Sequence, residues 1–301
     1  VDIARHPGNS ANTVVDPARA RKPSPRPAAW TRARAAHYDP RRLRAEGETD
    51  MDGSGIIPSD AVRFDPGVEL EIWEEMPAST LVSSRPVQRG RLFIDDPARG
   101  LTAGIWACSA FVSTMAPHDN DEFMLLLEGA VEIAEPSGKV TRIVAGESFI
   151  LPKGLVRQWR QTGDVKKIFV ILETPDDAAA RDTRGLAVLK PDPAVALSPS
   201  AGPKPEMLLS GSPRQSGHEI FEDRDGRLTV GVWSSTAYHR KPIPFPRHEL
   251  MCLLEGSVAI TGPSGRTQTF TAGESFFVPY GALTDFRTDG DVRKIYVTLD
   301  C

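Results

Sequence analysis

Between residue 60 and the C-terminus the apolar positions come in short runs rich in Val, Ile, Phe and Thr, cut off by Gly, Pro, Asn or Asp. Runs of this kind predict strands of an all-β sandwich or barrel, and sustained helical periodicity is weak. EPSGK (135 to 139) and GPSGR (262 to 266) lie between apolar runs and predict hairpin loops with Gly at a position needing positive φ. Pro152-Lys153-Gly154 and Pro279-Tyr280-Gly281 predict sharp turns into the next strand. DDAAARDTRG (176 to 185) predicts one short turn of helix. Side chains alternate between faces along a strand, so if Glu122 points into a barrel, Met124 and Leu126 follow it. The same rule groups Glu249 with Met251 and Leu253.

The pattern occurs twice. GIW (104 to 106) recurs as GVW (231 to 233) at an offset of 127, and that offset aligns the downstream residues without a gap. DEFMLLLEG (121 to 129) becomes HELMCLLEG (248 to 256), and AGESF (145 to 149) returns at 272 to 276. Thirty of the 71 aligned pairs from 104 onwards are identical, which points to duplication of a whole domain; solenoid units would be shorter and more numerous. The register extends upstream, where Asp65-Pro66 meets Asp192-Pro193 and Gln88 meets Gln215. The expected organisation is a basic, disordered leader over 1–55, one barrel over 56–180 and a second over 181–301.

The leader is rich in Arg, Pro and Ala and cannot bury enough surface to fold alone. Two readings stand for it: a basic arm for an anionic partner, or a solvated segment preceding a natural start at Met51. The whole chain carries a net charge of −4, and outside the leader no basic face for nucleic acid is evident. The longest apolar runs, such as FMLLL (123 to 127), are too short to span a bilayer, so the expectation is a soluble, cytoplasmic protein without nucleic-acid or membrane partners. Cys108, Cys252 and Cys301 show no CxxC spacing and read as reduced core thiols.

Glu-x6-Gly (122 to 129, 249 to 256) followed by Gly-x5-Pro-x-Gly (146 to 154, 273 to 281) resembles the paired motifs of cupins. The resemblance implies an all-β chain of two tandem cupin domains, jelly-roll type antiparallel β-barrels, in other words a bicupin. The finer pattern GxW…E-x6-G…AGESF…PxG…KI(F/Y)V is similar to the ethanolamine-utilisation and ureidoglycine-aminohydrolase-like branch. Metal-binding cupins add a His pair before the Glu and a His after the Pro-x-Gly turn. Here those positions hold Ala116, His118 and Arg157 in the first repeat, and Ile243, Phe245 and Thr284 in the second. A divalent ion wants three or four protein ligands, so no metal or other cofactor is expected, with a divalent ion in the first repeat as the lesser alternative.

The expected chemistry is therefore organic. Glu122, Lys167 and His118 are the candidate catalytic set, with Glu122 as acid/base. Burial would raise its pKa towards neutrality, whereas a nearby cation would pull it back down. Trp106, Arg157, Trp159, Trp233, Glu249, Lys294 and Tyr296 are the candidate substrate-binding residues, with Arg157 suited to a carboxylate. Thr284 and Phe286 replace Arg157 and Trp159 in the second copy, so its cavity is expected to be less polar, and His239 shares the parity of Trp233. The partner expected is a small polar or anionic metabolite, acted on by a hydrolase or isomerase or held by a non-catalytic sensor. Cupins commonly associate through sheet faces and exchanged strands; two readings stand here, that two barrels in one chain satisfy that need internally, or that the chain forms a homodimer.

Overall fold

The computed structural model describes residues 55–83, 85–174 and 185–300, with the backbone of Glu48–Thr49. Nearly all of the leader, the expected helical turn and Cys301 lie outside the described residues. No described residue is in an α-helix; the two 3-10 turns, Ala78–Thr80 and Pro205–Met207, are themselves 127 residues apart. No helix among the described residues is long and apolar enough to cross a membrane.

Each repeat forms two facing antiparallel sheets. In the first barrel six strands run in the order Ser148–Leu151, Asp121–Glu128, Val165–Leu172, Leu101–Cys108, Gln88–Asp96, Glu71–Ile72. A smaller sheet built on Ala130–Ala134 and Val156–Gln161 faces it. The second barrel repeats this plan around Leu228–Ser235, Val292–Leu299 and His248–Glu255. The predicted turns carry their glycines at φ 85° (Gly138), 79° (Gly265), 90° (Gly154) and 77° (Gly281), a region costly for any residue with a Cβ.

Alternation works as predicted, but both faces of the central strands of the large sheets are buried. Met124, Leu126, Phe149 and Phe169 fill the inside of the first barrel, and Met251, Leu253, Phe276 and Phe286 that of the second. The opposite faces pack against each other between the barrels: Ile105, Phe123, Ile168 and Val170 share one core with Val232, Leu250, Ile295 and Val297. FMLLL is continuously apolar because both of its faces are buried.

The barrels also exchange edges. Val62–Arg63, upstream of the first barrel, pairs with Ser275–Val278 of the second, setting Val62 opposite Phe277. Leu189, 127 residues on from Val62, bridges Ile150 of the first barrel, with amide-to-carbonyl distances of 2.8 and 3.2 Å. Each barrel is completed by the segment that introduces the other in sequence. Phe64, fully buried in the shared core and stacked on Phe93 at 4.6 Å, anchors one of these crossings.

Candidate functional site

Glu122 opens its strand and Lys167 lies near the start of a neighbouring one, opposite Leu126 and Trp106. Four residues of strand, ~13 Å of rise, separate Leu126 from Glu122. The lysine stem therefore runs along the barrel interior past Met124, whose Sδ is 3.0 Å from Nζ, and donates to Glu122 Oε1 at 2.7 Å. The indoles of Trp106 and Trp159 flank the same ammonium at 4.9 and 5.1 Å from their ring centroids. His118 stands on the other side, with Nε2 3.2 Å from Glu122 Oε2 but off the line of a good hydrogen bond. Its Nδ1 accepts from Arg157 Nη2 at 3.0 Å, which assigns the ring proton to Nε2. Arg157 Nη1 reaches Ser113 Oγ at 3.4 Å, while its buried Nε has no partner.

All six residues expected for the first cup thus come together, and all but the half-buried Arg157 are less than a tenth exposed. Of the two outcomes open for Glu122, the cation's prevails: burial pushes its carboxyl up, but Lys167 and then His118 outweigh burial and hold it at about 2. Burial, aided by Arg157, pushes His118 below the ordinary imidazole value, so it is neutral at pH 7. With one carboxylate, one ammonium and one guanidinium, the cup carries a net positive charge. Asp119, exposed at the lip, is the further acid in the field of Arg157.

The second cup repeats the pair. Lys294 Nζ donates to Glu249 Oε1 at 2.6 Å, passes Met251 Sδ at 3.3 Å and lies 4.7 Å from the centroid of Trp233. Tyr296 shares this inward row, with its hydroxyl over Gly231, where a Cβ would sit 2.4 Å from it. Phe245 and Phe286 stand where the first cup has His118 and Trp159. An open groove of about 490 Å³ lies beside Trp233 and Tyr296, with Glu219, Glu222, Arg247 and Asp300 among its lining. Its counterpart is plugged in the first barrel, where Trp73 packs so closely on Gly90 that a Cβ there would meet the indole at 2.2 Å. Ser200 stands 127 residues on from Trp73, in a strand paired in the same register.

Arg240 is the residue that sequence reasoning missed. It is 7% exposed, on the inward face with Tyr238, and its Nη2 donates to Thr284 Oγ1 at 3.3 Å. The parity of Tyr238 and Arg240 in the strand Tyr238–Pro244 was the available signal. His239, expected to share the parity of Trp233, instead faces away and holds Asp285 at 2.8 and 2.9 Å. His248 lies on the side of its strand away from the cup, where Nδ1 accepts from the Tyr280 amide at 3.1 Å. Asp121, its counterpart, accepts the Lys153 amide at 2.9 Å, so both residues brace the Pro-x-Gly turn. Cys108 and Cys252 are free and buried, their thiols pushed by burial up to about 12 and about 11.

The donors do not fit a divalent ion. The cation position beside Glu122 is taken by the Lys167 ammonium, and Arg157 occupies the position of a third ligand and bonds the one histidine. Among the described residues no three His, Cys, Asp or Glu side chains converge.

The EutQ-like cupin domain matches residues 96–169. A Pseudomonas syringae pv. tomato protein of unknown function is similar with a TM-score of 0.64 and 22% identity, over 79% of this chain and 99% of that one. The Escherichia coli protein YlbA is similar at 11% identity with a TM-score of 0.49, over 88% of this chain and 98% of its own. Oxalate decarboxylase from Lactobacillus farciminis, at 13% identity, has a TM-score of 0.42 over 81% of this chain and 87% of its own. No curated protein matches this chain. The fold is that of the cupin superfamily, with two jelly-roll barrels in one chain.

Proposed function

We propose that the protein binds a small carboxylate-bearing metabolite in the first cup, without a metal ion. The observation that carries this reading is the buried, net positive cluster of Glu122, Lys167 and Arg157, in which Arg157 Nε has no partner. An unpaired buried donor on a charged group is costly, and a carboxylate accepting from two guanidinium nitrogens removes that cost with a charge-assisted, directional pair. Lys167, between two indoles, adds attraction, and the ionised Glu122 keeps it in place. Calorimetric titration with small monocarboxylates and their primary amides tests the reading. Carboxylates bind and amides bind at least tenfold more weakly, and Arg157→Gln removes that preference; equal affinity for acid and amide refutes it.

One observation favours a catalytic second reading, a hydrolase or isomerase of the ureidoglycine-aminohydrolase-like kind. A neutral imidazole beside a carboxylate, as in His118 and Glu122, is suited to moving a proton. On this reading His118→Gln loses turnover and keeps binding, whereas a sensor shows binding and no turnover. Neither reading needs nucleic acid or membrane. The sheet faces through which two copies would associate are already joined within one chain, so a homodimer would have to form through other surfaces.

A further inference from the structure

The guanidinium of the first cup has not been lost from the second; it has changed strands. In the first barrel Arg157 faces Ser113, and in the second the same two positions hold Thr284 and Arg240. Each cup therefore keeps one guanidinium, one small hydroxyl, one Glu–Lys pair and a Trp against the ammonium. We infer that the second barrel holds an anion site of its own, built on Arg240 and Lys294, which takes a small monocarboxylate.

Three features carry this. Arg240 is more than nine-tenths buried, and its Nη1 has no hydrogen-bond partner. In the first cup His118 occupies the guanidinium; its counterpart Phe245 offers no acceptor, so the charged donor is left bare. The acids in the field of Arg240 are already committed, Glu249 to Lys294 and Asp285 to His239, and Tyr238 is its remaining titratable neighbour. A buried guanidinium with an open donor calls for an anionic acceptor, and two carboxylate oxygens match its planar fork. The open groove brings solvent to Trp233, the indole that contacts Lys294. Its Glu219, Glu222 and Asp300 repel polyanions, which narrows the guest to a single charge.

The test is a titration of the whole chain with acetate, followed by tryptophan fluorescence, with phosphate as the multiply charged comparison. Trp106 and Trp159 report the first cup and Trp233 the second. The wild type gives two saturable phases with acetate. Arg240→Gln weakens one at least tenfold and leaves the other, while Arg157→Gln does the reverse. The exchange Arg240→Ser with Thr284→Arg copies the first barrel and retains both phases. Should Arg240→Gln fail to fold, Trp233→Phe decides: a second phase that survives it does not come from this cup, and the inference falls. Both phases intact in a folded Arg240→Gln overturn it too. A single phase lost only with Arg157→Gln refutes the second site and leaves the first standing.

Discussion

Replacing Glu122 by Gln removes one charge from a closed pair and keeps the shape of the side chain. The carboxylate is 7% exposed, 2.7 Å from the Lys167 ammonium, and held at about 2 against a reference of 4.5. A depression of that size corresponds to about 3 kcal/mol of stability. It agrees with the ~3–5 kcal/mol lost when one partner of a buried pair is removed and the other charge is stranded. Because the folded value lies below the unfolded one, the contribution is complete above pH 4.5 and disappears as pH falls through 4.5 towards 2. Thermal unfolding at pH 7 should show Glu122→Gln about 6–12 °C below the wild type, using ~2–4 °C per kcal/mol for a chain of this size. Lys167→Met alone should cost a similar amount, and the double variant less than the sum, since no charge is then stranded. The acid limb of the wild-type stability curve should flatten in Glu122→Gln. A loss under about 1 kcal/mol with an unchanged acid limb would mean a solvated carboxylate, and the closed-cup reasoning would be wrong.

Other outcomes depend on single side chains. Phe64→Ala should cost ~3–5 kcal/mol and speed amide exchange in Ser275–Val278 of the second barrel, although Phe64 precedes the first barrel in sequence; slow exchange there would argue against the crossed edges. Ser200→Trp should fill the groove as Trp73 does in the first barrel and raise the melting temperature, adding ~1–3 kcal/mol of burial; a lower melting temperature would show that the two positions are not counterparts. His248, 2% exposed, is pushed by burial down to about 4, so folding binds fewer protons there and stability declines as pH falls from 6.5 towards 4. His248→Gln should flatten that decline in a urea series, and an unaltered slope would place the titration elsewhere.

Duplication, strand content, turns and the inward row Glu122, Met124, Leu126 were all legible in the chain because each rests on local spacing. So was the convergence of the first cup's residues, since strand pairing in this fold sets Lys167 and Trp106 side by side. The second cup misled, because counting aligned positions treats Thr284 as a lost cation. Its replacement, Arg240, comes from another strand, and a one-dimensional alignment does not see that the two side chains meet. The groove was hidden for the same reason: a Ser in place of a Trp leaves a void only where that Trp would have been packed on Gly90 and Phe169.

The sequence by itself therefore determined two copies of an all-β unit and the faces of their strands, because period and turn chemistry act between neighbours along the chain. Only the tertiary structure decided which barrel each edge completes, which charges end up paired, and which barrel carries the open groove. Those outcomes depend on burial and on contacts between residues up to more than a hundred positions apart, where the free energy of a charge or a void is set by what surrounds it in space.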